Sequence, residues 1–335
     1  MPIQYNSAFR ADSSNDDLEV RKRMILEIYQ TWKKNYSWML IDYKMPKPRK
    51  PLTIDLSQKQ MDQVPIPDLE KSVMVGTILG DTSFGIQRNY RNPRMQNRHS
   101  TRQASWFFWK WFICLKDFNN GLSSVMYQYP DGYQRNAEAL HPGEIIGKLK
   151  INSKATSTLH KLHNVICTKN KKKIERSWLN HMNDYFLMTL WLDDGSLYNG
   201  RQGLFALDSY SLQEQKIFVN YLKTVWDIEC YVYNTGQTLR ANGLPRYRIR
   251  IKNQENLLKL LRIVARIIPV KEMLYKIVFI PENNIDLLQR WASEVAELVY
   301  PEYKDEIVKT YNKIIENYGA QAQSRFTFNV SLNLG

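Results

Sequence analysis

Residues 69–84 read LEKSVMVGTILGDTSF, and residues 182–197 read MNDYFLMTLWLDDGSL. Each stretch contains an apolar run of about ten residues that ends abruptly at an aspartate, Asp81 in the first and Asp194 in the second. Apolar runs of this length, followed by polar sequence, predict two buried helices. Because the same change of character follows both runs, the sequence indicates that one structural unit occurs twice.

Polar, strand-like sequence follows each predicted helix. Residues 85–100 read GIQRNYRNPRMQNRHS, and residues 197–211 read LYNGRQGLFALDSYS. Further on, residues 247–252 read YRIRIK, in which basic and apolar side chains alternate with the period of a strand that has one basic and one apolar face. Helical periodicity separates the strands at four places: 106–116, 156–165, 211–226 and 254–267. This order predicts an α+β fold built from a duplicated αββαββα-like unit.

The positive charge of the chain is concentrated in a few regions. The chain has 47 Lys and Arg against 33 Asp and Glu, a net charge of +14, and 25 of the 47 basic residues fall in three windows: 82–116, 148–173 and 240–276. The first two windows contain no acid, whereas a surface that is charged only for solubility mixes both signs. This pattern predicts a polyanionic partner. That partner is either nucleic acid or an acidic membrane surface. The aromatic and amide residues interleaved in the acid-free windows favour a phosphate backbone, so we expect nucleic acid. No apolar run approaches the roughly 20 residues that cross a bilayer.

The two helix ends resemble the LAGLIDADG motif of homing endonucleases and of the intron maturases related to them. Laid on the nine-letter pattern, residues 74–82 read MVGTILGDT and residues 187–195 read LMTLWLDDG. The eighth position, which carries the metal-binding acid in the family, falls on Asp81 and Asp194. The third and seventh positions, where the family has small residues at the helix contact, are Gly76 and Gly80 in the first copy and Thr189 and Asp193 in the second. Thr189 and Asp193 depart from that pattern.

Elementary chemistry supports a metal centre at these helix ends. If the two helices lie side by side, Asp81 and Asp194 meet at one end, where paired carboxylates repel each other unless a divalent cation lies between them. Oxygen ligands favour magnesium, which can activate water and stabilise a leaving oxygen. We expect two or more such ions, shared near Asp81 and Asp194. Gly80 and Asp193 complete the candidate metal set, with Asp193 as a ligand, a cap or an outer group. The alternative is that an apolar helix ending in Asp-Gly is an ordinary C-terminal turn.

The resemblance covers about residues 70–280 and extends to the single-chain homing endonucleases of organellar ribosomal-RNA introns. Matching segments are ALDSYSLQEQ at 206–215 and IIPVKEMLYKI at 267–277. The resemblance implies that Lys172 and Lys276 are catalytic and lie near the scissile phosphates, one in each half-site. Lys172 stands in the run KNKKK, so a neighbouring lysine could take its role, and the whole run could instead be a solvated surface.

The same resemblance implies curved antiparallel sheets that form a DNA-binding saddle, with the two motif helices at the central interface. Arg and Lys side chains read guanine, and Asn and Gln side chains read adenine. The alternative for each such residue is a phosphate contact or a solvated strand face. The DNA-binding candidates are Gln87, Arg88, Asn89, Arg91, Arg94, Gln96, Arg98, Lys148, Lys150, Tyr198, Asn199, Arg201, Gln202, Arg240, Arg246, Arg248 and Arg250.

An aromatic cluster at residues 106–112, WFFWKWF, admits two interpretations. Exposed rings could stack on bases, whereas a helix packed under a sheet would bury them. The second interpretation is favoured, because the rings fall within a predicted helix.

Four segments are expected along the chain: an N-terminal helical and extended segment (1–67), a first LAGLIDADG unit (68–180), a second unit (181–280) and a C-terminal helical extension (281–335). We expect a monomer. The three cysteines are far apart in the sequence, which is typical of reduced thiols in an intracellular compartment. Because no targeting sequence is evident, we expect an organelle-encoded product acting in a mitochondrion or chloroplast.

Together these observations predict a site-specific homing endonuclease. It would hydrolyse both strands of a long, asymmetric double-stranded DNA target with magnesium and leave staggered ends. The alternative is an intron maturase, an RNA-binding splicing cofactor on the same fold whose partner is its own intron RNA. A third, weaker possibility is a basic DNA-binding module without catalysis.

Overall fold

The computed structural model describes residues 15–41, 44–49, 59–88, 90–129, 147–238, 243, 245–281 and 284–317. They divide into two compact units. The first unit takes the described residues up to Lys44 together with Met95–Lys154, and the second takes Met45–Arg94 and the chain from Ala155 onward. The four segments expected from the sequence stay a prediction.

The first half of the chain contains the first predicted motif helix and the elements around it. In chain order they are α1 (Asn15–Asn35), α2 (Ser37–Ile41), α3 (Lys59–Asp62), α4 (Asp68–Leu79), β1 (Thr82–Gly85), β2 (Arg94–Ser100), α5 (Ala104–Phe108), β3 (Val125–Gln128), β4 (Lys148–Asn152) and α6 (Ser157–Ile166). From α4 onward the order is helix, two strands, helix, two strands, helix, as the sequence predicts.

The second half repeats that order from the second motif helix. After β5 (Cys167–Thr168), β6 (Lys171–Lys172) and α7 (Arg176–Leu179) come α8 (Asp184–Asp194), β7 (Gly195–Tyr198), β8 (Gln202–Phe205), α9 (Leu212–Trp226), β9 (Cys230–Thr238), β10 (Pro245–Ile251), α10 (Gln254–Ala265), α11 (Ile285–Leu298) and α12 (Lys304–Asn317). The predicted α+β class and the duplicated αββαββα order are confirmed. Among the described residues, no helix is both long and apolar enough to span a membrane.

Helices α4 and α8 are buried on all sides, which explains why their sequences lack a polar face. They pack along each other within the second unit. A side-chain carbon on Gly76 would lie 2.8 Å from the Cβ of Thr189 and 2.9 Å from the backbone oxygen of Phe186. Glycine is therefore required where the two backbones approach.

The first unit contains the antiparallel strand order β2–β4–β3. Arg98 is paired with Lys150, and Leu149 and Ile151 of β4 are fully buried. Since successive side chains of a strand point to opposite faces, this sheet has an apolar face on the core and a basic face opposite it.

The second unit contains the sheet β7–β8–β10–β9, in which β8, β10 and β9 repeat the order β2–β4–β3. Ile249 of β10 is paired with Phe205 of β8, and both side chains are fully buried. Arg248 and Arg250 alternate with Ile249 and Ile251 and stay partly exposed. The predicted strand with one basic and one apolar face is confirmed.

The aromatic cluster is the core of the first unit. Helix α5 continues into a π-helical turn at Trp109–Cys114, and the rings of Trp106 and Trp109 stack at 5.2 Å, with neither ring exposed. The expectation of core packing is confirmed. One basic residue of the first charged window is buried with these rings: the Lys110 ammonium lies 2.7 Å from the Nε2 atom of His99. Lys110 is therefore not part of a basic surface.

The two C-terminal helices pack onto the segment that carries Lys276. The indole nitrogen of Trp291 in α11 donates to the backbone oxygen of Ile277 at 3.1 Å. The hydroxyl of Tyr303, just before α12, donates to the backbone oxygen of Pro269 at 2.7 Å. These two bonds hold both ends of the segment 269–277.

Candidate active site at the ends of the motif helices

Both motif helices end in acidic residues that are close together. Helix α4 is closed by the N–H of Gly80, which donates to the backbone oxygen of Gly76 at 3.1 Å, and Asp81 follows on the surface. Helix α8 carries Asp193 and Asp194 in its last turn. The C-terminal end of a helix is its negative end, so carboxylates are unfavourable there and need a cation to offset them.

Three carboxylates converge at these ends. Carboxylate oxygens of Asp81 and Asp193 lie within 4.8 Å of each other. A Cβ on Gly80 would lie 3.4 Å from Oδ2 of Asp193 and 3.5 Å from Oδ2 of Asp194. The Thr77 hydroxyl donates to Oδ2 of Asp193 at 2.6 Å and fixes that carboxylate from inside α4. We call Asp81, Asp193 and Asp194 the acidic centre.

The electrostatics of the acidic centre favour a cation. Burial, followed by repulsion from Asp81 and Asp193, raises the pKa of Asp194 from 3.8 to about 7. Lys172 and Lys276 act in the opposite direction on the same carboxyl. The negative charge of the centre is therefore only partly compensated by the chain itself.

Lys172 closes the end of α4. Its ammonium donates to the backbone oxygens of Ile78 at 2.6 Å and Thr82 at 3.1 Å. Burial lowers its pKa, and the nearby Asp194 carboxylate opposes that shift. A cavity of about 730 Å³, lined also by Ser83, Phe84, Asn170, Tyr210 and Tyr247, opens beside it.

The hairpin of β5 and β6 decides which lysine of the run takes this place. Its turn residues Lys169 and Asn170 have positive φ angles of 48° and 61°, and the resulting register pairs Lys172 with Cys167. Lys171 is exposed, and Lys173 forms an ion pair with Glu175 at 2.7 Å. The structure thus places Lys172, and neither neighbour, against the acid-bearing turn.

Lys276 closes the end of α8 in the same way. Its side chain is 8% exposed, and its ammonium donates to the backbone oxygens of Leu192 at 2.5 Å, Gly195 at 3.0 Å and Asp193 at 3.2 Å. The indole of Trp191 in turn donates to the backbone oxygen of Lys276 at 2.9 Å. Each motif helix therefore ends at a lysine that neutralises its C-terminal carbonyl groups.

A model of the LAGLIDADG DNA endonuclease family matches residues 71–258, more than half of the chain. The chain belongs to this family. Membership confirms the resemblance seen in the two motifs and assigns the chain to the DNA endonucleases. No curated protein matches the sequence.

Three solved structures are similar to this chain. The homing endonuclease I-WcaI, bound to its DNA recognition sequence, gives a TM-score of 0.51 at 16% identity over 67% of this chain and 92% of its own. Mesophilic variants of the homing endonuclease I-DmoI give a TM-score of 0.35 at 11% identity, over 59% of this chain and 90% of their own. The N-terminal LAGLIDADG domain of DUF199/WhiA gives a TM-score of 0.33 at 12% identity, over 64% of this chain and 94% of its own. The I-WcaI likeness shows the fold.

The acidic centre fits the divalent cation that the LAGLIDADG family implies. Two carboxylates within 4.8 Å and a third with a raised pKa offer hard oxygen ligands. The missing Cβ of Gly80 leaves room between the helix ends, because a Cβ there would lie 2.8 Å from the Cβ of Asp193. The Gly80 main chain, named as a candidate from the motif, is thus next to the centre.

The DNA-binding candidates of the first half lie on β2, on β4 and in the connection before β2. Gln96 and Arg98 alternate with the buried residues of β2, and Lys148 and Lys150 are opposite Ser100 and Arg98. Gln87, Arg88 and Arg91 precede the strand and are exposed, so the strand-like stretch is shorter than the sequence indicates. Arg94 stacks over the ring of Tyr90 at 3.8 Å. Asn89 and Arg240 lie outside the described residues.

The candidates of the second half surround β7, β8 and β10. Tyr198 and Gln202 are paired across the β7–β8 hairpin, and Asn199, with φ of 50°, and Arg201 belong to its turn. Arg250 lies over the ring of Tyr233 at 4.7 Å. Arg246 and Arg248 both bind the carboxylate of Asp208, a residue that the sequence did not indicate as part of the DNA-binding face.

Two more residues of the site were missed from the sequence. The hydroxyl of Tyr210 donates to the backbone oxygen of Leu79 at 3.3 Å, and its ring lies 5.8 Å from the Lys172 ammonium. Thr77 holds Asp193 from α4. The family pattern gives neither residue a role. Their only sequence signal is a polar residue inside an apolar run, for Thr77, and a place beside the helix cap Ser211, for Tyr210.

Proposed function

We propose that the protein is a site-specific homing endonuclease that hydrolyses one phosphodiester bond in each strand of a double-stranded DNA target. The observation that carries the proposal is the acidic centre, formed where two packed motif helices end, with one lysine at each end. Two helix ends and two lysines supply two equivalent sets of groups, as two strand cleavages require. Family membership supplies the class of reaction.

We assign the binding of magnesium to Asp81 and Asp194, with Asp193 and the Gly80 carbonyl as further oxygen ligands. When bound, the cation would supply a polarised water and charge stabilisation for the leaving oxygen. Thr77 orients Asp193 through its 2.6 Å hydrogen bond. Lys172 and Lys276 hold the acid-bearing turns and reduce the repulsion among the carboxylates. With phosphate nearby, the same positive charge would stabilise the pentavalent transition state.

DNA is the proposed partner, contacted by the basic face of each sheet. In the first unit this face carries Arg98 and Lys150 side by side, and in the second it carries Arg248 and Arg250. The I-WcaI structure is of a protein bound to its DNA recognition sequence, which supports the same class of partner for this fold. We propose that a monomer carries both sets of catalytic groups, since both motif helices belong to one chain.

The maturase alternative stays a prediction, as does the organellar location. A maturase needs the RNA-binding surface and no metal centre, whereas this chain retains three acids and two lysines in contact with the motif helices. The retained set favours cleavage as the primary function.

The proposal is tested with a plasmid library that carries randomised duplex inserts. Incubated with Mg²⁺, the protein should linearise a small fraction of plasmids and select one long, asymmetric sequence. The Asp81→Asn, Asp194→Asn double variant should bind the selected sequence and leave it uncut. Asp117→Asn, which removes an exposed acid elsewhere, should cut like the unmodified protein. Full cutting by the double variant would contradict the assignment.

A further inference from the structure

One acid on the proposed DNA-binding face holds two arginines at once. Asp208 lies in the connection between β8 and α9, and its side chain is 18% exposed. Its Oδ1 accepts from Nε of Arg248 at 3.0 Å and its Oδ2 from Nη2 of the same residue at 3.3 Å. Oδ2 also accepts from Nε of Arg246 at 2.5 Å and from its Nη2. Both guanidinium groups are therefore fixed by one carboxylate.

Neighbouring bonds fix the arginines further. Nη1 of Arg246 donates to Oε1 of Gln237 on β9 at 3.0 Å, and the Thr235 hydroxyl donates to the Arg246 backbone oxygen at 3.1 Å. The buried side chain of Gln215 donates to the backbone oxygen of Tyr247, which stands between the two arginines, at 3.2 Å. The backbone and side chains of this pair are thus set before any ligand arrives.

This arrangement changes what the arginines can contribute to DNA binding. A guanidinium has five N–H donors, and Asp208 takes two of those of Arg248, so donors remain for a base edge. The carboxylate cancels half of the charge of the pair, which weakens the sequence-independent attraction to phosphates. Arginine normally loses rotamer freedom on contact, and a side chain ordered in advance loses less. Fixed, partly neutralised arginines therefore favour base edges over phosphates.

We propose that Asp208 is a specificity-determining residue, which positions Arg246 and Arg248 to read adjacent base pairs and limits their contact with phosphates. The proposal rests on the proposed function, because it describes how the second sheet would recognise its target. Asp208 would act through the arginines and would not itself touch the scissile phosphate.

A matched acid is present in the same unit. Glu229, just before β9, also forms ion pairs with two basic residues: Lys223 of α9 at 3.4 Å, and Lys252 just after β10. Removing its charge changes the net charge of the protein as much as removing that of Asp208, while both arginines stay bound. Comparing Asp208→Asn with Glu229→Gln therefore separates the effect of releasing the two arginines from the effect of removing one negative charge.

The test compares wild type, Asp208→Asn and Glu229→Gln by selection from a randomised duplex library and by binding to a fixed random-sequence duplex over a series of salt concentrations. For Asp208→Asn we expect about tenfold tighter binding of the random duplex. The slope of the logarithm of the binding constant against that of salt concentration should become steeper by about one phosphate contact. The selected site should lose its base preference at one or two adjacent base pairs. Glu229→Gln should keep the wild-type preferences at every position.

Arg248→Lys is a second variant, since it keeps the charge but lacks the planar fork. It should lose preference at the same base pairs without tighter binding of the random duplex. If Asp208→Asn binds the random duplex with wild-type affinity and selects the wild-type sequence, the inference is overturned while the proposed function stands. Selection of the wild-type sequence by Arg248→Lys would have the same meaning. A wild type that selects no sequence overturns both the inference and the proposed function.

Discussion

Gly80, which caps the C-terminal end of α4, faces Asp193 of α8 so closely that a Cβ on the glycine would lie 2.8 Å from the Cβ of the aspartate. One turn earlier, Gly76 faces Thr189 at the same 2.8 Å. The third and seventh positions of the two motifs are thus opposite each other across the helix contact. Glycine on one helix makes room for a larger residue on the other, which explains why the second copy can depart from the small-residue pattern.

Gly76→Ala is therefore expected to destabilise the protein. Overpacking at a contact with backbone typically costs about 1–3 kcal/mol, and the relief expected from better helix propensity is about 1 kcal/mol at most. Urea denaturation should show a lower midpoint. Adding Thr189→Gly moves the small residue to the other helix, so the double variant should regain part of the loss. A double-mutant cycle with no coupling between the two substitutions would contradict the contact.

The sequence predicted the duplicated fold better than it predicted the site. The two acid-tipped helices and the glycines of the first are visible because helix burial and close packing leave local patterns. Lys172 could not be separated from its neighbours, since a hairpin register depends on backbone angles at Lys169 and Asn170. Asp208 gave no signal, because its partners lie about 40 residues away and meet it only through sheet pairing.

The sequence likewise did not show which charged side chains are buried. Lys110 belongs to a basic window by composition, yet its ammonium lies among aromatic rings against His99. A count of charges cannot distinguish Lys110 from Arg98, which belongs to the same basic window but is exposed on β2. Only the strand and helix faces assign each cation to the core or to the surface.

Aromatic residues of the core and of the DNA-binding face should respond in opposite ways to truncation. Trp106 is fully buried, so Trp106→Ala should cost about 3–5 kcal/mol of unfolding free energy while the folded fraction binds DNA as before. Tyr198 is 53% exposed at the β7–β8 hairpin, so Tyr198→Ala should change stability by less than about 0.5 kcal/mol and weaken DNA binding. Thermal unfolding and fluorescence anisotropy measure the two effects. Weaker DNA binding by folded Trp106→Ala would favour base stacking instead.

Lys172→Met and Lys276→Met should each impair one strand cleavage. Each lysine closes one motif helix, so loss of one ammonium should slow the cut made at that helix end and leave nicked circles from a supercoiled plasmid. The two variants should nick opposite strands, which primer extension on the products would show. Equal slowing of both strands by either variant would argue against one lysine for each cleavage.

The same pair of variants should differ in stability. The Lys276 ammonium is buried and donates to three carbonyl oxygens within 3.2 Å, whereas Lys172 donates to two and lies beside an open cavity. Leaving buried acceptors without a donor costs about 1–3 kcal/mol, so Lys276→Met should lower the unfolding free energy more than Lys172→Met. Urea denaturation without divalent cations gives the comparison, and a larger loss for Lys172→Met would contradict it.

The raised pKa of Asp194 predicts that the metal-free protein loses stability as pH rises. The folded state holds a proton on this carboxyl up to about pH 7, whereas the unfolded chain releases it near 3.8. The folded state therefore binds more protons between these values, and its free energy of unfolding falls with increasing pH across that interval, by at most about 4 kcal/mol from this group.

Asp194→Asn removes that contribution, so the variant should unfold at the same temperature as wild type near pH 4 and at a higher temperature at pH 8 in EDTA. Asp117→Asn, at an exposed acid, should follow the wild-type curve at both pH values. Added Mg²⁺ should stabilise the wild type at pH 8, because a ligand that binds only the folded state shifts the equilibrium toward it, and should stabilise Asp194→Asn less. Unfolding temperatures can be measured by calorimetry from pH 4 to pH 8. If wild type and Asp194→Asn differ by the same amount at every pH, this carboxyl is not the group that titrates.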